Sequence, residues 1–159
     1  MVGGLPFAAG AEAEDIRPHG GMIGVVLFDR HAAVRRSLRY VLDGEDDIEV
    51  IAEVDELDSL MIHLSTGPRV LALDPCLPGT SGAQTVRAVR RRAPDTGMVV
   101  LTMNEDPGLA LHVLGIGAMA FVLKDVADTD LPPAVRSVAC GRPYVSPRVA
   151  ARLARREQP

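Results

Sequence analysis

The sequence predicts an α/β domain, a parallel five-stranded sheet with helices on both faces. Two observations point there. Five apolar runs of strand length alternate with stretches of helical periodicity. The runs are apolar at consecutive positions rather than at every second one, as expected for a sheet covered on both faces.

The elements follow in order. Ile23–Phe28 is the first strand. Val34, Leu38, Val41 and Leu42 then recur at helical spacing, with Arg35, Arg36 and Arg39 on the other side, until Gly44 ends the helix. Ile48–Val54 is the second strand, and Asp55 can cap a helix that turns Leu57, Leu60, Met61 and Leu64 to one face. Val70–Leu73 is a buried third strand ending at Asp74. The stretch from Pro75 to Gly82 is loop chemistry, and Ser81 caps a helix through Ala93 with Val86 and Val89 inward.

Met98–Leu101 is the fourth strand, ending at Thr102, and Asp106-Pro107 is a helix start with proline at the first helical position. The helix that follows is apolar nearly all round through Ala118. One half suits the core and the other a partner surface. Met119–Leu123 is the fifth strand, ending at Lys124. Pro132 and Pro133 are tolerable in the first turn of a helix, so the last helix is expected from Leu131 to Cys140, with Gly141 stopping it.

Composition narrows the function. A net charge of -4 gives no basic surface for nucleic acid. The 2 cysteines are too few for a disulfide framework and fit a reducing cytoplasm. No run approaches the ~18 apolar residues of a membrane span. Residues 1–21 lack the basic start and sustained apolar core of a signal peptide and read as a disordered extension, with Met22 an alternative start.

Chemistry in such a sheet gathers at the carboxyl ends of the strands. Those ends carry Asp29, Asp74, Thr102 and Lys124: two carboxylates, a hydroxyl and an ammonium from four distant parts of the chain. An exposed aspartate there can attack a phosphoryl group to form an acyl phosphate, and cations are needed to neutralise the phosphoryl oxygens.

With LFDRH after the first strand, LALDPCLPGTSG around Asp74, VVLTM, GAMAFVLKD and the tail GRPYVSP, residues 23–147 resemble the receiver domains of response regulators. The nearest subgroup is the NarL/FixJ type, which carries LuxR-type output domains. The resemblance implies a flavodoxin-like strand order 2-1-3-4-5 and a receiver domain over 22–147, with residues 148–159 a basic helical tail towards an output domain. It implies Asp74 as phosphoacceptor, Thr102 and Phe121 as switch residues and Lys124 as the cation that pairs with phosphate. Mg²⁺ would be held by Asp29, Asp74 and the carbonyl of Cys76. A sensor histidine kinase, DNA reached through the output domain and a homodimer are the implied partners. The dimer face is helix four–strand five–helix five, with Leu109, Val113, Leu114 and Ile116.

Three residues depart from the family pattern. Receivers carry two adjacent acids after the first strand, where this chain has Asp29-Arg30. An inward guanidinium ~5 Å from Mg²⁺ would repel it by about 6 kcal/mol at an effective dielectric near 20. Arg30 either replaces the metal by bridging Asp29 and Asp74, or swings into solvent and leaves a weak metal site. Met103 stands where Ala or Gly is usual, and Pro75 stiffens the loop after Asp74; both are expected to obstruct the pocket. The expectation is therefore an atypical receiver with Mg²⁺ weak or absent, controlled by dimerisation or by a small-molecule ligand. A conventional phospho-switch is the alternative. A small phosphohydrolase using Asp29 is disfavoured, because His31 stands where its second acid belongs and no Gly-rich phosphate loop follows.

Overall fold

A computed structural model of the chain describes residues 21–157. The extension expected before Met22 lies, but for Gly21, outside the described residues. The elements run β1 (Ile23–Phe28), α1 (Ala32–Asp43), β2 (Ile48–Val54), α2 (Leu57–Leu64), β3 (Val70–Leu73), α3 (Gly82–Arg92) and β4 (Gly97–Thr102). They continue with α4 (Pro107–Gly115), β5 (Ala120–Leu123), a 3-10 turn (Lys124–Val126), α5 (Ala127–Ala139), β6 (Tyr144–Val145) and α6 (Pro147–Arg156). All strand pairs are parallel, in the order β2-β1-β3-β4-β5-β6.

The sheet thus has six strands rather than five. Tyr144 and Val145 pair with Ala120 and Phe121. A two-residue strand is too short to show any period, which is why the sequence hides it.

The pleat divides the core in two. Val26, Phe28, Leu71, Leu73, Val100 and Phe121 face one side, where they meet α2, α3, α4 and α6. Ile23, Val25, Leu27, Val70, Val99 and Leu101 face the other, under α1 and α5. Gly97 marks a close approach between sheet and helix: a Cβ there would lie 2.2 Å from Val138 Cγ1.

Several helix ends differ from expectation. Ser81 caps α3 as expected, within a capping box: Ser81 Oγ accepts from the Gln84 N–H while Gln84 Oε1 accepts from the Ser81 N–H. By contrast, α2 has Glu56 rather than Asp55 at its N-cap, without a side-chain hydrogen bond. α5 starts at Ala127, so Pro132 and Pro133 lie inside it. They remove amide donors to the carbonyls of Asp128 and Thr129. The helix tolerates this because Ala127, Leu131, Ala134, Val135 and Val138 are buried on the sheet, and tertiary packing outweighs propensity.

The apolar surface of α4 has a partner within the chain. α6 buries Val149 and Leu153 in the same core as Ala110 and Val113.

Candidate functional site

β1, β3, β4 and β5 deliver the four groups expected from the sequence to one end of the sheet. Lys124 Nζ donates to Asp29 Oδ2 and to Asp74 Oδ2, each at 2.6 Å. The other carboxylate oxygens accept backbone amides. His31 N–H binds Asp29 Oδ1 at 2.8 Å, and Cys76 N–H binds Asp74 Oδ1 at 2.9 Å. Asp29 is fully buried, and Arg35 Nη1 fixes its carbonyl at 2.6 Å.

Charge in this cluster is balanced locally. Burial lowers the proton affinity of Lys124, but hydrogen bonds to Asp29 and Asp74, together with their charge, hold its ammonium above the ordinary lysine value. The Cys76 thiol is pushed up by burial and then by the Asp74 carboxylate, which keeps it protonated and unreactive as a nucleophile.

The remaining residues are placed as follows. The Thr102 hydroxyl is buried at the end of β4 and accepts the Asn104 N–H at 3.0 Å. Phe121 is fully buried in the core. Arg30 is exposed and makes no ion pair among the described residues; the bridge considered for it is made by Lys124, which contacts both carboxylates. Pro75 packs beside Gly82 and is not among the residues that line the cleft beside the carboxylates. Met103 is 66% exposed and lines the same cleft as Asp74.

Beside the carboxylates a cleft of about 810 Å³ runs between α1 and α5. Asp74, Thr102 and Lys124 line its polar end, and Val34, Leu38 and Val41 its apolar wall. The sequence reading missed this groove, since its walls come from residues that look like ordinary core positions of α1.

The donors fit a divalent cation. Asp29, His31 and Asp74 each offer a ligand atom within 4.8 Å of the others. The set contains one carboxylate fewer than the resemblance calls for, because Arg30 occupies that position.

The chain is similar to known proteins over most of its length. The family described as "Response regulator receiver domain" matches residues 25–136. The oxygen regulatory protein NreC of Staphylococcus carnosus (strain TM300) is 34% identical over 131 residues, covering 81% of this chain and 60% of NreC. The chain therefore spans about 60% of the length of that relative. Among solved structures, the Salmonella typhimurium RcsB response regulator, studied for its interaction with DNA, superposes with a TM-score of 0.78 at 27% identity, over 85% of this chain and 67% of that one. A two-component response regulator of the LuxR family from Aurantimonas sp. SI85-9A1 gives 0.79 at 25% identity, over 86% of this chain and 98% of its own.

Proposed function

This chain belongs to the response regulator receiver domain family, a family of regulators rather than enzymes, and we propose that it is the input module of a two-component transcription regulator whose switch is centred on Asp74. The observation that carries this reading is the shared Lys124 ammonium on Asp29 and Asp74. It holds the acceptor carboxylate beside the cation that pairs with an incoming phosphoryl group.

In the proposed step an Asp74 oxygen attacks phosphorus and the leaving group departs with its bonding electron pair. Lys124 then turns from carboxylate to phosphoryl oxygen, and the Thr102 hydroxyl moves to a second one. Phe121 is already buried in the core, so no inward swing is left for it to make. Receiver domains use Mg²⁺ here to neutralise phosphoryl oxygens; Asp29, Asp74 and the Cys76 carbonyl would hold it. With Arg30 in place of a second acid the site lacks one carboxylate ligand, so metal affinity is low and Mg²⁺-dependent transfer is impaired. Control then passes to dimerisation or to a small molecule in the α1–α5 cleft. The outward side chain of Arg30 favours the second reading, a conventional phospho-switch.

The proposed organisation starts the receiver at 22 and makes 148–159 the start of a connection to a DNA-binding domain, with α6 packed into the receiver core through Val149 and Leu153 rather than leaving it at 147. A sensor histidine kinase is the proposed phosphodonor, and the cytoplasm the proposed location; no helix among the described residues is long and apolar enough to cross a membrane. For a homodimer on the α4 side, Leu109, Leu114 and Ile116 are the half-buried candidates, whereas Val113 is fully buried and cannot contribute.

Intact mass after incubation with a small phosphodonor and Mg²⁺ tests the reading. The native chain stays largely unmodified, Arg30→Asp gains one phosphate, and Asp74→Asn gains none. Full uptake by the native chain replaces the atypical reading with the conventional one, and phosphate retained by Asp74→Asn removes Asp74 from its role.

A further inference from the structure

Ser146 stands at the N-cap of α6, yet its side chain makes no cap hydrogen bond. The hydroxyl is turned inward instead. It accepts the Leu123 N–H at 3.1 Å and donates to Asp130 Oδ2 at 2.7 Å, and both Ser146 and Asp130 are buried. Leu123 is the residue immediately before Lys124.

The basic side of α6 repeats the theme. Arg148 Nη2 lies 2.6 Å from Asp125 Oδ2 and 2.9 Å from Glu105 Oε1, and Arg152 Nη2 lies 2.8 Å from Glu105 Oε2. Glu105 belongs to the loop that follows Thr102, and Asp125 to the 3-10 turn that begins at Lys124. One helix therefore grips both loops that carry the cation and the hydroxyl of the site. The ion pairs are too exposed to supply much attachment individually. They set the position of the helix, while burial of Val149 and Leu153 attaches it.

We propose that α6 is a latch on these two loops, loosened by loss of charge at the Asp74–Lys124 pair. Arg148 and Arg152 tie the two loops to α6, and Ser146 ties the start of α6 to Leu123 at the end of β5, so movement of the loops is coupled to the seating of the helix. Displacing Lys124 or Thr102 therefore alters how tightly α6 docks, and docking in turn biases where Lys124 sits, because coupling between two sites is reciprocal. The element with two arrangements is α6 itself, seated against α4 or free. Its departure uncovers apolar surface around Ala110 and Val113 and frees whatever the chain carries beyond residue 156. The inference rests on the reading of Asp74 and Lys124 as the input site, but not on phosphate being the input.

Hydrogen–deuterium exchange of the full chain tests the latch. Peptides covering 147–156, 103–108 and 124–128 are followed in Glu105→Gln, Asp74→Asn, Lys124→Gln and Leu153→Asn, with β3 and β4 amides reporting global stability. In Glu105→Gln and Asp74→Asn, α6 exchanges about 3- to 10-fold faster while β3 keeps its native rate. Lys124→Gln repeats the Asp74→Asn result, and if it proves too unstable Asp74→Asn carries the test alone. Leu153→Asn speeds exchange of both loops. Native α6 rates in Glu105→Gln overturn the clamp; native rates in Asp74→Asn overturn its coupling to the site. A chain that takes no phosphate leaves all these rates readable, so failure of the phospho-switch and failure of the latch are separate results.

Discussion

Asp29 and Asp74 share one counter-ion: Lys124 Nζ lies 2.6 Å from an oxygen of each, in a site where Asp29 has no solvent exposure. Two carboxylates this close repel unless a cation stands between them.

Lys124→Met removes that cation and leaves the buried Asp29 charge facing Asp74. The expected loss is about 2–4 kcal/mol of unfolding free energy at neutral pH, measured by urea denaturation, and Asp74→Asn in the same chain recovers a large part of it. The sign of the pH effect follows from the raised folded-state affinity of Lys124. Its contribution is fully present below the ordinary value of 10.5 and disappears as pH rises through the higher folded value. The native chain and Lys124→Met therefore converge in stability only in strong alkali.

Arg30→Asp exchanges a cation for a ligand at the edge of the site. Mg²⁺ affinity is expected to rise about tenfold or more, read by titration calorimetry, with Arg30→Gln between the two. Equal affinity in all three chains would remove Arg30 from the explanation of weak metal binding.

Burial pushes the Tyr144 hydroxyl up to about 12, with the Asp130 charge and a hydrogen bond to it as further causes. The fold is stabilised by Tyr144 below pH 10, and that contribution is lost as pH rises through the folded value. Ultraviolet titration of the tyrosinate band in a Tyr40→Phe background isolates this group. Asp130→Asn moves its midpoint downward.

Gly97→Ala places a methyl group 2.2 Å from Val138 Cγ1, on a strand–helix contact that has no slack. A cost of about 1–3 kcal/mol is expected from thermal or denaturant unfolding. Val138→Ala in the same chain restores part of it by making room.

The fold and the four strand-end groups were legible because each depends on local pattern. Continuous apolar runs specify buried parallel strands, and the residue after each run falls at the carboxyl edge whatever the details of packing. What escaped depends on long-range contact. The start of α5 is set by Leu131 and Val135 against the sheet, which overrides the two prolines that locally suggest a later start. The apolar surround of α4 read as a partner surface, because nothing in residues 148–159 announces that Val149 and Leu153 fold back upon it. Arg30 was ambiguous for another reason: a long side chain at a loop edge has two plausible directions, and only the three-dimensional position of Lys124 removes the need for it between the carboxylates.

The sixth strand has a consequence for the sheet as a whole. β5 is buried at all four positions, and β6 covers its outer side, with Tyr144 N–H bonded to the Met119 carbonyl and Ser146 N–H to that of Phe121. A chain shortened to end before Tyr144 would leave Ala-Phe-Val-Leu as a bare margin with unpaired amides and carbonyls, a template on which another copy can add a strand. Such a chain is expected to precipitate at concentrations where the longer one stays dispersed, so two residues act as the hem that keeps the sheet from growing.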